Sequence, residues 1–520
     1  MAHRRVVLAS DHGADGARLR EAFARIRQEL GVPGDFPDEV LQEARAAAAH
    51  RPGRGVITPG RFPDETDVPY VTIDPPGSLD LDQALYLERD GAGYRVLYAI
   101  AHVPAFVAPG GTIDAEARRR GETVYLPDGT APLHPRELSE GATSLLPGRI
   151  RPAFVWDMRL DGDGRVGEAR VRQAIVRSVA RLDYLGTQRD VDAGVGAAAP
   201  DGPLELLSEI GQRRIALERE RGGASLPRPE QEVVQIGDEE RARRYRLRFR
   251  PPVPVEDWNA QISLMTGMAA ADMMLEGGVG VLRTMPPPRP EDVERFRRRA
   301  AALGVMWSPD VAYGEFLRSL DRADPRDLAL LHAATALFRG AGYTPFDGAA
   351  PEKTLHAALA APYAHVTAPL RRLVDRFGLV ICAALCAGRD VPGWAREALA
   401  SLPDIMRDSG RLTSAVTRAC TDAVEAAVLE PLVGEEFEAT VVDSREDSST
   451  VQLEEPAVLA RVRIPAQVGS RVGVRLVSTD LAARKVVFEL VERVEPAGPF
   501  DQPGSGDLTM PGKPTRRSDG

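Results

Sequence analysis

Apolar positions in the first 60 residues follow a helical period. Leu19, Phe23, Ile26 and Leu30 recur at helical spacing, and Phe36-Pro37-Asp38 introduces a second amphipathic helix running to about His50. From Pro69 the period shortens to two. Val71–Ile73, Ala84–Leu87 and Tyr94–Ile100 read as strands between Pro/Gly/Asp turns, and Ile113–Arg120 as a short helix. Arg244–Arg250 alternates strictly, with Arg244, Arg246, Arg248 and Arg250 on one strand face. Long helices are predicted at about 257–275, 289–303, 367–387 and 408–429. Strands followed by helices point to one α/β (α+β) body over 61–430. From Gly434 five short alternating runs predict a small all-β barrel of the OB type over 434–493. The tail 494–520, rich in Pro, Gly, Ser and Asp, is expected to be disordered.

Composition narrows the class without naming a chemistry. With 43% apolar and 27% charged residues in 520, the chain is globular, with room for three or four domains. No apolar stretch is long enough to span a bilayer or to serve as a secretory signal, so a cytoplasmic protein with no membrane partner is expected. Cys382, Cys386 and Cys420 are too few and wrongly spaced for a disulfide framework or a structural zinc site. The net charge of −10 argues against a coat of nucleic acid, yet all basic residues except Lys353, Lys485 and Lys513 are arginine, the side chain of forked phosphate contacts. A coding bias toward Arg and Ala gives the same excess, so total charge decides nothing.

The chemistry concentrates in VTIDPPGSLDLDQA, residues 71–84. A strand ends at Asp74, a Pro-Pro-Gly-Ser turn follows, and Asp80 and Asp82 share one face if the next residues are extended. Three carboxylates this close repel one another unless a cation or a raised pKa relieves them. Hard divalent ions take such oxygen ligands and serve phosphodiester cleavage. A polar turn with solvated aspartates is the other reading, and spacing alone leaves both open. GGVG at 277–280 follows a helix and is not a dinucleotide loop, and no phosphate-loop, HExxH or GxSxG motif occurs.

Two further segments, HVPAFVAPGGTIDAEARRRGETVYLPDGTAPLHPRELSEGATSLLPG (102–148) and YAHVTAPLRRLVDR (363–376), complete a recognisable set. Together with TIDPPGSLDLDQA they resemble the catalytic RNB domain of the ribonuclease II / ribonuclease R family, from about Thr72 to about Ala427. The resemblance implies a hydrolytic 3′→5′ exoribonuclease that threads single-stranded RNA and releases 5′-mononucleotides with Mg²⁺, Mn²⁺ being the alternative. It places the family's aspartate cluster on Asp74, Asp80 and Asp82, with Asp82 most directly tied to catalysis. Gln83 stands where a fourth aspartate is usual, as a neutral ligand. Tyr125 matches the aromatic that clamps the terminal nucleotide, and Arg371 the arginine that holds the scissile phosphate. The helical stripe Leu370, Leu373, Val374, Phe377, Ile381 and Leu385 leaves Arg371 and Asp375 one turn apart on another face.

The chain departs from the family pattern at four places. Gln83 contributes no charge, and position 102 is His where the family has mostly Asp, read as a packing or hydrogen-bonding variant. Thr417 falls where a helix glutamate is expected. Only about 60 residues precede the body, too few for the two cold-shock domains of larger members. The C-terminal barrel reads as a reduced S1-type domain, with Phe437, Phe488, Arg461, Arg463, Arg471 and Arg475 for accessory RNA contact. A catalytically weakened RNA-binding protein of the same fold is the competing expectation. A monomer is expected.

Overall fold

The computed structural model describes residues 14–49, 62–194, 204–224, 230–236, 244–250, 253–321, 324–453, 458–463 and 465–493. The expected tail and the side chains of the 244–250 arginine face lie outside them. Two N-terminal helices, α1 (Ala14–Leu30) and α2 (Asp38–Ala49), precede a closed five-stranded barrel. Its strands are β1 (Asp64–Asp74), β2 (Gln83–Asp90), β3 (Gly93–Ala101), β6 (Ile150–Leu160) and β7 (Val166–Asp183). Helix α3 (Thr112–Arg120) and a small hairpin, β4 (Val124–Leu126) with β5 (Gly129–Ala131), fill the connection from β3 to β6. All barrel pairs are antiparallel except the closing pair of β1 with β7.

Alternation along the strands gives the barrel two buried faces. Val96, Tyr98, Ile100, Phe154, Trp156 and Met158 share one core with α5 (Leu204–Glu220), α6 (Pro254–Gly277) and the helix Leu373–Cys386. Between the barrel and α5 lies α4 (Tyr184–Asp192), and before α6 a two-stranded ribbon of β8 (Glu230–Ile236) and β9 (Arg244–Arg250). The opposite face, rich in the small residues Ala84, Ala99, Ala153 and Ala174, packs with Val40 of α2 and Ile113 of α3. Helix α6 is largely buried, with Trp258, Ile262, Met265, Ala270 and Met274 inward and Asp257, Asp272 and Glu276 exposed. Its Gly267 is required: a Cβ there would run into the Tyr363 ring, and the Gly267 carbonyl accepts the Ala364 N–H at 3.0 Å.

The C-terminal strands Glu436–Ser444, Ser449–Leu453, Val458–Val462, Arg471–Asp480 and Lys485–Arg493 form a curled antiparallel sheet whose outer strands approach each other. Leu19, Phe23 and Ile26 of α1 bury against the helix Leu402–Leu429 and share one core with this sheet. Ion pairs Arg18–Glu430 at 2.7 Å, Arg27–Asp128 at 2.6 Å and Arg484–Glu29 at 2.7 Å tie α1 to the hairpin, the long helix and the sheet. The N-terminal helix therefore staples the C-terminal sheet to the body.

One expected element needs correction. The helix predicted from 367 begins at Leu373. Pro369 disfavours helical conformation in the residue before it and cannot donate, and residues 367–372 instead form the loop that meets the aspartates. Arg371 and Asp375 are consequently not neighbours on a helix face. No helix among the described residues is long and apolar enough to cross a membrane.

Candidate active site

Asp74 closes β1, opposite Asp183 at the end of β7. The Pro75–Ser78 turn is held by the Ser78 N–H donating to the Pro75 carbonyl at 3.2 Å. Beyond it, Leu81 is buried and pinned at both ends: its N–H donates to Ser144 Oγ at 3.0 Å, and its carbonyl accepts the Leu145 N–H at 3.0 Å. With Leu81 inward, Asp80 and Asp82 project to the other side. The local sequence dictates this arrangement, two acids flanking one apolar anchor.

The loop Thr367–Arg372 completes the site. The Leu370 N–H donates to Asp82 Oδ1 at 2.7 Å, and Arg371 Nε lies 3.4 Å from Asp82 Oδ2. Asp375, fully buried in the first turn of the helix, sets the loop. It accepts the Ala368 N–H at 2.8 Å and two bonds from the Arg372 guanidinium at 2.6 and 2.7 Å. Behind it the buried Arg376–Asp114 pair, 2.5 Å apart, locks the same helix to α3.

The strand carrying Tyr125 is joined to this loop by backbone. Thr123 N–H donates to the Arg371 carbonyl at 2.9 Å, Leu373 N–H to the Gly121 carbonyl at 3.0 Å, and Glu122 bridges Arg372. Gly121 makes the turn possible, at φ +71° and with Ser409 where a Cβ would stand. The Tyr125 hydroxyl then reaches Asp80 Oδ2 at 3.3 Å. Asp74, Asp80, Asp82, Tyr125 and Arg371, all expected from sequence, thus come together.

The electrostatics are those of an under-compensated acidic site. Burial pushes the Asp82 carboxyl well above the usual carboxylate range; Arg371 and the Leu370 N–H oppose this, while Asp80 and Asp375 add to it. Burial likewise raises Asp74 to about 6, against Arg371 and with Asp80. Burial opposes the Arg371 charge, but Asp82, Tyr125 and Asp80 hold it protonated, and the side chain is about half exposed at 49%. A cation that adds positive charge relieves all three acids at once. Among the described residues no three His, Cys, Asp or Glu side chains form a ready-made metal cage. The trio is more open than its spacing suggests. An all-oxygen, open donor set fits a hard divalent ion that keeps waters and shares substrate oxygens.

Gln83, expected as a fourth ligand, donates its amide nitrogen to the Thr367 carbonyl, leaving Oε1 as the atom it can offer a cation. His102 is a packing and capping residue. Its ring stacks on Phe154 at 4.2 Å, Nδ1 accepts the Ala105 N–H at 3.0 Å, and Nε2 lies 2.8 Å from the Gln173 amide. On the long helix the residue that meets the site's wall is Thr413, not Thr417: its hydroxyl donates to Glu122 Oε1 at 2.6 Å. The acid at this wall, Glu122, comes from the segment just before β4. Sequence reading missed Glu122 and the Tyr98–Tyr184–Asn259 group behind Asp74; Tyr98 is buried and Tyr184 partly buried, and both feel the Asp74 charge. Asp375 was singled out as a helix-face neighbour of Arg371, but it serves the loop through Ala368 and Arg372 instead.

Residues 63–381 match the RNB domain, and residues 435–491 the RNase II-type exonuclease C-terminal S1 domain. The chain is 32% identical to ribonuclease R of Escherichia coli K12 over 356 residues, 66% of this chain and 42% of that protein; it spans well under two thirds of this relative's length. Among solved structures, Mycoplasma genitalium RNase R in complex with ribose-methylated single-stranded RNA superposes with a TM-score of 0.80 at 17% identity, covering 92% of this chain and 78% of that one. Yeast Ssd1, described as a pseudonuclease, superposes with a TM-score of 0.61 at 17% identity, covering 80% and 53%. These structures share the fold. With the RNB match covering most of the chain and the S1 match following in order, the chain belongs to the RNB-domain family of RNase II-type proteins.

Proposed function

We propose that the chain is a divalent-metal-dependent 3′→5′ exoribonuclease that hydrolyses single-stranded RNA to 5′-mononucleotides. The observation that carries this reading is the convergence of Asp82, 3.4 Å from Arg371, with Asp80, 3.3 Å from Tyr125, beside the raised carboxyl of Asp74. A divalent ion, Mg²⁺ or Mn²⁺, supplies the charge that activates water and steadies the leaving oxygen. Asp74, Asp80 and Asp82 hold it, with Gln83 Oε1 as a neutral fourth donor. Arg371, half exposed and tethered to Asp82, turns its remaining donors to the phosphoryl oxygens. Tyr125 presents its ring to the 3′-terminal base while its hydroxyl orients Asp80.

Gln83 favours a second reading, a weakened enzyme that grips RNA ends, because its amide is committed to Thr367 and adds no charge. A 5′-labelled RNA of about 30 nucleotides separates the two. The proposed enzyme shortens it from the 3′ end with Mg²⁺ and not with EDTA, and Asp82→Asn abolishes shortening. Binding without shortening in either Mg²⁺ or Mn²⁺ establishes the second reading.

A further inference from the structure

The C-terminal end of β7 leads to the site and carries exposed side chains the chemistry does not use. Arg177, Val179 and Arg181 all stand exposed there. They span about 13 Å of strand, ending two residues before Asp183, which pairs with Asp74. A β-bulge interrupts the alternation here: Tyr70 pairs Ser178 but Val71 pairs Ala180, so Val179 is the extra residue and Arg177 and Arg181 leave the strand on opposite sides of it. Arg149 and Ile150 flank the strand on one side, Ile150 pairing with Arg177 and the Gly148 N–H donating to the Ser178 carbonyl at 2.7 Å. On the other side Leu79 sits in the aspartate turn, where Arg181 Nη1 donates to the Ser78 carbonyl at 2.9 Å. Leu185 and Arg189 follow one turn apart on α4.

Two comparisons within the molecule set this strand end apart. Of the nine large apolar side chains exposed among the described residues, four border it: Leu79, Ile150, Val179 and Leu185. Most other barrel arginines are neutralised, as in Arg159–Asp90, Arg170–Glu168, Arg172–Glu65 and Arg95–Asp157, while Arg151 bonds to backbone carbonyls. Arg149, Arg177, Arg181 and Arg189 form no ion pair with a described acid; Arg177 is felt at a distance by Asp64 and Arg181 by Asp74. Cationic forks beside apolar surface suit a strand of phosphates and bases, in a chain whose net charge is −10.

We propose that Arg149, Arg177, Val179 and Leu185 form the track on which single-stranded RNA lies before entering the site. This rests on reading the chain as an RNA-acting enzyme, and it names where the substrate is received outside the residues of the chemistry. Polar contacts along the track act on phosphates, so the grip is independent of sequence and weakens with salt.

The test uses the full chain with Arg149→Ala/Arg177→Ala, in an Asp82→Asn background for binding and with Asp82 intact for turnover. The probes are a single-stranded RNA of about 30 nucleotides and a tetranucleotide too short to reach both site and track. For the long RNA the double variant binds about tenfold more weakly near physiological salt, and the slope of log Kd on log salt falls by about 1.4, two single-strand phosphate contacts. Affinity and turnover for the tetranucleotide stay unchanged, and Arg177→Lys alone preserves the slope. An unaltered slope and affinity for the long RNA overturns the track and leaves this strand end to another partner. Equal loss on both RNAs also overturns it, placing the arginines in support of the site itself. Absence of any shortening by the unmodified chain sinks the exonuclease reading, while the binding arm still decides the track.

Discussion

Asp74→Asn separates what the site costs the fold from what it gives to function. Burial raises the Asp74 carboxyl from the ordinary 3.8 to about 6, opposed by Arg371 and reinforced by Asp80. That difference corresponds to about 3 kcal/mol. Because the folded-state value is the higher one, the stability from holding the proton is fully present below the ordinary carboxylate pKa. It is lost as pH rises through about 6. In EDTA at pH 8 the native chain therefore carries an ionised, desolvated Asp74, and a neutral isostere removes that burden. Thermal and urea unfolding are expected to show Asp74→Asn more stable than the native chain by up to about 3 kcal/mol at pH 8, with the gain vanishing near pH 4. Mg²⁺ then stabilises the native chain and not the variant, since a ligand stabilises only the state that binds it. Activity of the variant is lost throughout. A variant less stable at pH 8 in EDTA, or equally stabilised at both pH values, refutes the reasoning.

Three other substitutions probe separate contacts. Arg371→Ala is expected to lower kcat by about 10²–10³-fold and to move the acidic limb of the pH–rate profile upward, because Asp82 loses the charge that opposes its burial; an unshifted limb contradicts that role. Tyr125→Phe keeps the ring and loses only the Asp80 hydrogen bond, so KM for short RNA changes little, whereas Tyr125→Ala costs about 1–3 kcal/mol of stacking. Equal losses in Phe and Ala assign Tyr125 to Asp80 alone. Asp375→Asn removes the charge that partners Arg372 and is expected to cost about 3–5 kcal/mol in unfolding experiments. A loss below about 1 kcal/mol removes Asp375 from the loop's support.

Local pattern carried the sequence reading furthest. Leu19, Phe23 and Ile26 are buried as their spacing requires, and the five C-terminal alternating runs fall in the five strands of the curled sheet. Asp80 and Asp82 face one side because Leu81 must face the other. Barrel closure was not legible. β1 meets β7 in parallel across about a hundred residues, and no local period encodes so distant a partner. The helix expected to hold Arg371 starts only at Leu373, since Pro369 and the Asp375 bond to the Ala368 N–H favour a loop. Glu122 escaped notice because its partner Thr413 lies on a helix nearly three hundred residues away, and only packing joins them.

The central claim is that the Asp74, Asp80, Asp82 and Arg371 site cuts RNA one nucleotide at a time from the 3′ end. An RNA labelled within its last phosphodiester, mixed with excess enzyme and Mg²⁺ and resolved by thin-layer chromatography, tests it most directly. The account predicts that the first labelled product is a 5′-mononucleotide, formed at a rate that falls to background with Asp82→Asn. A labelled oligonucleotide as first product, or a mononucleotide yield that Asp82→Asn leaves unchanged, contradicts it.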